Sequence, residues 1–336
     1  MLRNEWKDLV AKATEIWVLT DGRAGNLAQA LGLAEAIARR KPANVTVKSI
    51  SLKRWAAFIP SQLSHMMGAS KTGWPFIGLQ PESAPLVWPW PDLIVSAGRR
   101  AAPIAAAMRK LHAIPVVQLL DPQMSTAAFD AVVVPQHDNL TGANVLTSLG
   151  ALNRQAPEAL ALAGRNWSCP RKDLPIPRLA VLIGGPSKSA QFTNADAAKL
   201  VLALDSLANR FGLMITTSRR TAPGMLADLQ NKLADRAFIW TGTQDGPNPY
   251  PGLLDPAVAI LVTQDSVNMA SEAASTGKPV HVFPITSLAP KLARFHEALE
   301  EYGASRRFVG EISHWQYTPL TEADRITEDL IRRSVI

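Results

Sequence analysis

LAVLIGGPSKSAQFTNADAAKLVLALDSLANR, residues 179–210, is the stretch on which the fold reading turns. Leu179–Ile183 is a short continuous apolar run, as expected of a strand covered on both faces. Gly184–Ser189 is a loop of small and polar residues, and Asn194–Arg210 has apolar residues at helical spacing behind a Thr193 or Asn194 cap. Strand, glycine-bearing loop and helix make the unit from which helix-covered parallel sheets are assembled.

The same unit recurs on both sides. Downstream, strands are predicted at Leu213–Thr216, Phe238–Thr241, Ala259–Val262 and Val280–Phe283, with helices at Met225–Leu233 and Val267–Ser275. Upstream, strand Ile16–Leu19, loop Thr20–Asn26 and helix Leu27–Arg40 open a second series, followed by strand Val45–Ile50. Leu93–Ser96 then runs through Ala97-Gly98-Arg99-Arg100 into an alanine-rich helix ending near Leu111, and Pro115–Leu120 and Ala131–Val134 complete the series. At roughly 100–200 residues per domain, 336 residues predict two domains. The expected class is α/β, with two facing Rossmann-like domains, parallel sheets and an interdomain cleft. The boundaries read as 1–165 for the first domain, a proline-marked linker over 166–178, 179–315 for the second, and a closing C-terminal helix within 316–336.

Composition excludes several classes. Hydrophobic residues make up 47% and charged residues 19%, enough apolar content for a large core. No apolar run approaches the roughly 20 residues of a membrane span, and the first fifteen residues carry acids where a secretory signal needs an apolar stretch. The lone Cys169 makes no internal disulfide and has no CxxC or Cys/His partner, so a cytoplasmic location and an inert thiol are expected. Up to residue 170 there are 17 basic and 11 acidic residues, against 18 and 17 beyond it, so the net +7 sits mostly in the first half. That half also holds Lys53–Pro91, where Trp55, Phe58, Ile59, Met66, Met67, Trp74, Phe76, Ile77, Trp88 and Trp90 lie among prolines and glycines. Such a segment either packs into its own domain or forms an interfacial patch on an anionic membrane. No RNP-like, zinc-finger or basic-helix pattern accompanies the charge, so no nucleic-acid partner is expected.

In open parallel sheets, ligands meet the loops after the strands. Thr20-Asp21-Gly22-Arg23-Ala24-Gly25-Asn26 lacks the GxGxxG spacing, which disfavours a nicotinamide dinucleotide; Asp21 reads as a general base, a ribose contact or an ordinary Asp-Gly turn. Gly184, Gly185 and Ser187 read as a diphosphate cradle without the P-loop spacing. Ser218, Arg219 and Arg220 supply a hydroxyl and two guanidinium groups suited to phosphate, or a solvated turn. Asp265 and Ser266 open a helix that carries Glu272 six residues on, a spacing that suits phosphate at the helix start and a ribose diol beside it. Gly22, Arg23, Asn26, Arg99, Arg100 and His137 are candidates for the acceptor side or the cleft. There is no GxSxG, HExxH or DxD, and no metal site is expected.

TDGRAGN with QALGLAEAI, PDLIVSAGRRAAPIA, VQLLDPQ with FDAVVVPQHD, VLIGGPSKSAQFT, ITTSRRTAP, and TQDSVNMASEAASTGKPVHVFP with KLARFHEAL resemble the mitochondrial fission ELM (elongated mitochondria) family over about residues 16–310. The family's organisation is in turn similar to GT-B glycosyltransferases, in particular the peripheral membrane enzymes of the MurG and lipid A disaccharide synthase type. The resemblance implies a donor nucleotide held in the second domain by Gly184, Gly185, Ser266 and Glu272. The histidine that the MurG type carries in its first glycine-rich loop has no counterpart in TDGRAGN, where Asp21 is the local substitute.

The leading expectation is a metal-independent transferase that moves a sugar from a nucleotide sugar, of UDP type, to a membrane-associated acceptor. It would need no further cofactor and would work on the cytoplasmic face of the inner membrane. The alternatives are a non-catalytic scaffold that recruits a protein partner, and a soluble nucleotide-sugar epimerase.

Overall fold

The computed structural model describes residues 13–336; the acid-bearing stretch over residues 1–12 lies outside the described residues. The apolar runs of the first half become β1 (Thr14–Thr20), β2 (Ala43–Ser49), β3 (Leu93–Ala97), β4 (Val116–Leu119), β5 (Ala131–Pro135) and β6 (Val145–Ser148). They form a six-stranded parallel sheet in the order β2-β1-β3-β4-β5-β6. Helices α1 (Ala24–Arg40) and α4 (Ala102–His112) are crossover helices, while α2 (Arg54–Ala57) and α3 (Ser61–Met66) are short turns within the aromatic segment. Strand alternation sends Ile16, Val18, Val95 and Val117 to one core layer with Leu33 and Ile37, and Leu19, Ile94 and Val116 to another with Ile104 and Met108.

The second half supplies α5 (Pro157–Asn166), β7 (Arg178–Ile183), β8 (Ala190–Gln191), α6 (Asn194–Leu207), β9 (Gly212–Thr217), α7 (Pro223–Leu233), β10 (Ala237–Trp240), α8 (Tyr250–Leu254), β11 (Ala257–Thr263), α9 (Val267–Ala274), β12 (Val280–Phe283), β13 (Ser287–Leu288), α10 (Pro290–Glu301) and β14 (Ser305–Arg307). A second six-stranded parallel sheet runs β10-β9-β7-β11-β12-β14, and β8 pairs antiparallel with β13. Leu179, Val181 and Ile183 pack with Leu200, Leu204 and Leu229 on one side of the sheet. Ala180 and Leu182 pack with Ala270, Ala273 and Phe295 on the other, as the period of two requires. Thr193 is the cap of α6: its Oγ1 accepts from Asp196 N, and Asp196 Oδ2 accepts from Thr193 N at 2.9 Å.

The chain divides into two compact units, one comprising residues up to Ser148, Leu152–Arg154 and Glu322–Ile336, the other Leu149–Ala151 and Gln155–Thr321. This moves the expected boundaries. The stretch read as a linker over 166–178 belongs to the second unit, because Cys169 and Leu174 are buried in its core and the Trp167 ring packs tilted against Phe238 at 5.8 Å. The closing helix α11 (Glu322–Arg332) belongs to the first unit. Its Ile326 and Leu330 join the core against α1, each worth about 1.5–3 kcal/mol of burial. Asp324 and Glu328 take ion pairs from Arg39 and Arg40. Among the described residues no helix is long and apolar enough to cross a membrane.

Candidate functional site

All strands of each six-stranded sheet are parallel, so the loops after them emerge at one end of that sheet. In the first unit this end carries Asp21 after β1, Gly98-Arg99-Arg100 after β3 and His137 after β5. In the second it carries Gly184-Gly185 after β7, Ser218–Thr221 after β9 and Asp265-Ser266 after β11. The predicted residues thus gather within each unit.

In the second unit the gathering is tight. Asp265 has a fully buried side chain, and its carboxylate is the hub: Oδ1 accepts from Thr263 Oγ1 at 2.7 Å, and Oδ2 from Gly185 N and Arg220 Nη2, both at 2.9 Å. Gly184 N donates to Thr263 Oγ1 at 2.8 Å, and Thr221 Oγ1 donates to Gly184 O at 2.6 Å. A Cβ on Gly184 would stand 2.1 Å from Asp265 Oδ2, and one on Gly185 2.1 Å from Arg220 O. These contacts revise two expectations. Gly184 and Gly185 are glycines because side chain and backbone close over them, and both N–H groups are already used, so the amide cradle read from sequence is not open. Arg220 spends one face of its guanidinium on Asp265 and Gly185 O rather than standing free for phosphate.

Around this hub stand groups with unused capacity. Arg219 is exposed and has no hydrogen-bond or ion-pair partner among the described residues. Ser266 caps α9 and is buried: its Oγ accepts from Met269 N at 3.3 Å, which leaves its hydroxyl proton uncommitted to that bond. Ser187 and Ser218 sit in turns, accepting from Ser189 N and Arg220 N, both at 3.1 Å. Farther along α9, Glu272 is half-buried and Oε2 accepts from the Tyr250 hydroxyl at 2.7 Å. Burial pushes the Glu272 carboxyl up to about 7, against the lowering effect of that hydrogen bond; burial and the adjacent carboxylate hold Tyr250 well above the usual phenol range. Tyr250 was not legible in sequence, because nothing local to it marks a carboxylate partner.

In the first unit, Asp21 is only 6% exposed at its side chain. Its Oδ1 accepts from Asn26 Nδ2 at 3.1 Å and Arg23 N at 3.4 Å, and Oδ2 lies 3.3 Å from Arg23 Nε. Gly22, with φ at 76°, makes the turn between them. His137 is buried on the turn after β5, its Nε2 3.9 Å from Asp138 Oδ1. Arg99 Nη1 donates to Gln123 Oε1 at 3.2 Å, while the buried Nε of Arg100 has no hydrogen-bond partner among the described residues. The aromatic segment is part packed and part exposed. Trp74 donates to Ser64 O at 2.8 Å and Trp90 joins the core, whereas Phe58 is 83% and Trp88 77% exposed.

Two α/β units with parallel six-stranded sheets, and candidate groups at the strand ends, define a GT-B-like fold. Solved structures agree. The chain is similar to UDP-GlcNAc 2-epimerase of Methanocaldococcus jannaschii in complex with UDP-GlcNAc and UDP, with TM-score 0.52, 12% identity and coverage of 95% of this chain and 99% of that one. It is also similar to a Staphylococcus aureus MnaA–UDP structure, with TM-score 0.52, 13% identity and coverage of 95% and 88%. The chain belongs to the mitochondrial fission ELM1 family, whose model matches residues 24–334. It is 32% identical to the mitochondrial fission protein ELM1 of Arabidopsis thaliana over 279 residues, covering 72% of this chain and 65% of that protein. An uncharacterized protein of Rickettsia prowazekii is 29% identical, with 93% of this chain and 96% of that protein covered.

Proposed function

We propose that the chain is a nucleotide-sugar-dependent enzyme that transfers the sugar, from a donor of UDP type, to a membrane-associated acceptor. The observation that carries this reading is helix α9: a hydroxyl at its capped start in Ser266 and a carboxylate, Glu272, six residues along. At about 1.5 Å per residue the two lie roughly 9 Å apart along the axis, the reach of a nucleoside diphosphate. Diphosphate would meet Ser266, Ser187, Ser218 and the unpartnered Arg219, with Arg220 adding its remaining edge; the ribose diol would meet Glu272 Oε1, since Tyr250 holds Oε2. In the transfer step, an acceptor hydroxyl oxygen bonds to the anomeric carbon and gives its proton to Asp21. The bond from that carbon to the diphosphate breaks with its electron pair on the leaving group, where guanidinium charge and the helix start stabilise it. To accept the proton, Asp21 must loosen its contact with Arg23. Gly22, Asn26, Arg99, Arg100 and His137 belong to the acceptor side of this reading, and the exposed residues of Lys53–Pro91 to an anionic membrane face.

A second reading is a non-catalytic recruitment protein. The committed amides of Gly184 and Gly185 favour it, because an active donor site would use such groups on phosphate. Calorimetry with UDP, GDP, CMP and their sugars, with and without magnesium, tests both. Binding of one nucleotide sugar that is lost in Ser266→Ala and Glu272→Ala supports the enzyme. Labelled sugar appearing in extracted membrane lipid then supports transfer, and an epimerised sugar remaining on the nucleotide points to the epimerase instead. No binding of any nucleotide overturns the enzyme reading.

A further inference from the structure

In the first unit, the segment that sequence left between core and membrane closes over the loop after β3. Ser61 Oγ donates to Arg99 O at 3.0 Å, and Gln62 Oε1 accepts from Ser125 N at 3.1 Å, which ties α3 to the strand-end loops. Between them lies a cavity of about 240 Å³. Its walls are mixed: Phe58, Ile59, Trp74, Pro75 and Ile104 give one apolar side, Ser61, Ser64 and Gln123 add neutral polar groups, and Arg99 and Arg100 also line it while no carboxylate does. Arg99 is held by the neutral amide of Gln123, and Arg100 has no hydrogen-bond or ion-pair partner among the described residues, although its Nε is shielded from water. The rest of the Arg100 side chain is part-exposed, but an Nε–H shielded from water without an acceptor is costly and is the position that a ligand oxygen would complete. Phe58 lines the cavity while facing solvent with most of its surface, so the apolar wall continues to the outside.

We propose that this cavity binds an anionic amphiphile, with a phosphate on Arg99 and Arg100 and a hydrocarbon chain along Phe58, Ile59, Trp74 and Ile104. Phosphate suits the planar guanidinium groups, and the missing acid leaves their charge uncompensated. The apolar side formed by Phe58, Ile59, Trp74 and Ile104 favours a ligand with a hydrocarbon part over a bare anion, because phosphate alone would leave that side wet. The phosphate could belong to a bilayer lipid or to a soluble acyl or prenyl phosphate. The site consists of first-unit residues alone and is measured without nucleotide, so its failure leaves the nucleotide-sugar reading standing, and the reverse also holds.

The test is calorimetry of the full chain with dodecyl phosphate below its micellar concentration, against inorganic phosphate and an uncharged alkyl glucoside. One-to-one binding is expected, weaker by about tenfold or more in Arg100→Gln, partly restored in Arg100→Lys, and lost in Ala57→Trp, which fills the cavity. Inorganic phosphate and the glucoside are expected to bind at least about tenfold more weakly than dodecyl phosphate. Flotation with phosphatidic acid vesicles, blocked by dodecyl phosphate, identifies a bilayer source; dodecyl phosphate binding without flotation identifies a soluble one. Absence of one-to-one binding, binding unchanged in both Arg100→Gln and Ala57→Trp, or inorganic phosphate binding as tightly as dodecyl phosphate overturns the proposal.

Discussion

Two arginine pairs occupy the same kind of place in the two units and meet different fates. Arg99-Arg100 follows β3 and Arg219-Arg220 follows β9, each at the carboxyl end of a parallel strand. In the second unit β11, two strands away across β7, brings Asp265, whose buried carboxylate takes Arg220 and the Gly185 amide. In the first unit the acids after the two strands beside β3 are Asp21 and Asp121: Asp21 turns to Arg23 and Asn26 in its own loop, and Asp121 Oδ1 accepts from Gln123 N at 2.7 Å. Arg99 and Arg100 are therefore left with an amide and an apolar wall. The same residue types give a closed polar hub in one unit and arginines without an ion pair among the described residues in the other; the difference lies in what the strand-end carboxylates bond to.

The comparison breaks most visibly at Asp265. Asp265→Ala removes the acceptor shared by Thr263, Gly185 and Arg220, and it is expected to cost about 3–5 kcal/mol of stability, read by denaturant unfolding. A loss below about 1 kcal/mol would mean that the hub is not the structural element its burial makes it.

A smaller effect belongs to Glu272. A carboxyl raised from 4.5 to about 7 binds its proton more tightly in the folded chain than in the unfolded one. Stability therefore falls as pH rises through the window from 4.5 to 7 and levels off above it, by an amount of the order of 3 kcal/mol. Melting temperatures across that window should show a fall in the wild type that is flattened in Glu272→Gln. Equal slopes in the two proteins would remove Glu272 as the titrating group.

The smallest effect sharpens the contrast from the other side. Gln123→Glu places a carboxylate beside Arg99 and makes the first unit resemble the second. As a partly exposed pair it should stabilise by only about 0.2–1 kcal/mol, while dodecyl phosphate binding weakens because the charge it would meet is now compensated. Unchanged affinity would show that Arg99 contributes no charge to the cavity.

Much of the fold was legible in sequence, because a buried parallel strand is written as a local apolar run and the loop after it as local glycine and polar residues. Leu179–Ile183 was predicted to the residue at its carboxyl end, and the Thr193 cap follows from a box closed within three residues. The boundaries were less legible. Prolines at 170, 175 and 177 resemble a linker, yet Cys169 and Leu174 between and beside them supply apolar surface that the second core absorbs. For the site, the sequence supplied most of the residues but not their bonds. Tyr250 reaches Glu272 across 22 positions and Arg220 reaches Asp265 across 45, and no local pattern encodes either.

The sequence alone thus determined two series of strand, loop and helix and the chemistry stocked in each loop, because hydrophobic periodicity and turn preference act over a few residues. Only tertiary structure decided which of those groups are spent on one another. Its packing closes Gly184 and Gly185 under Asp265, seats α11 on α1, and folds the aromatic segment over Arg100, since burial of a charge depends on neighbours that are distant in the chain.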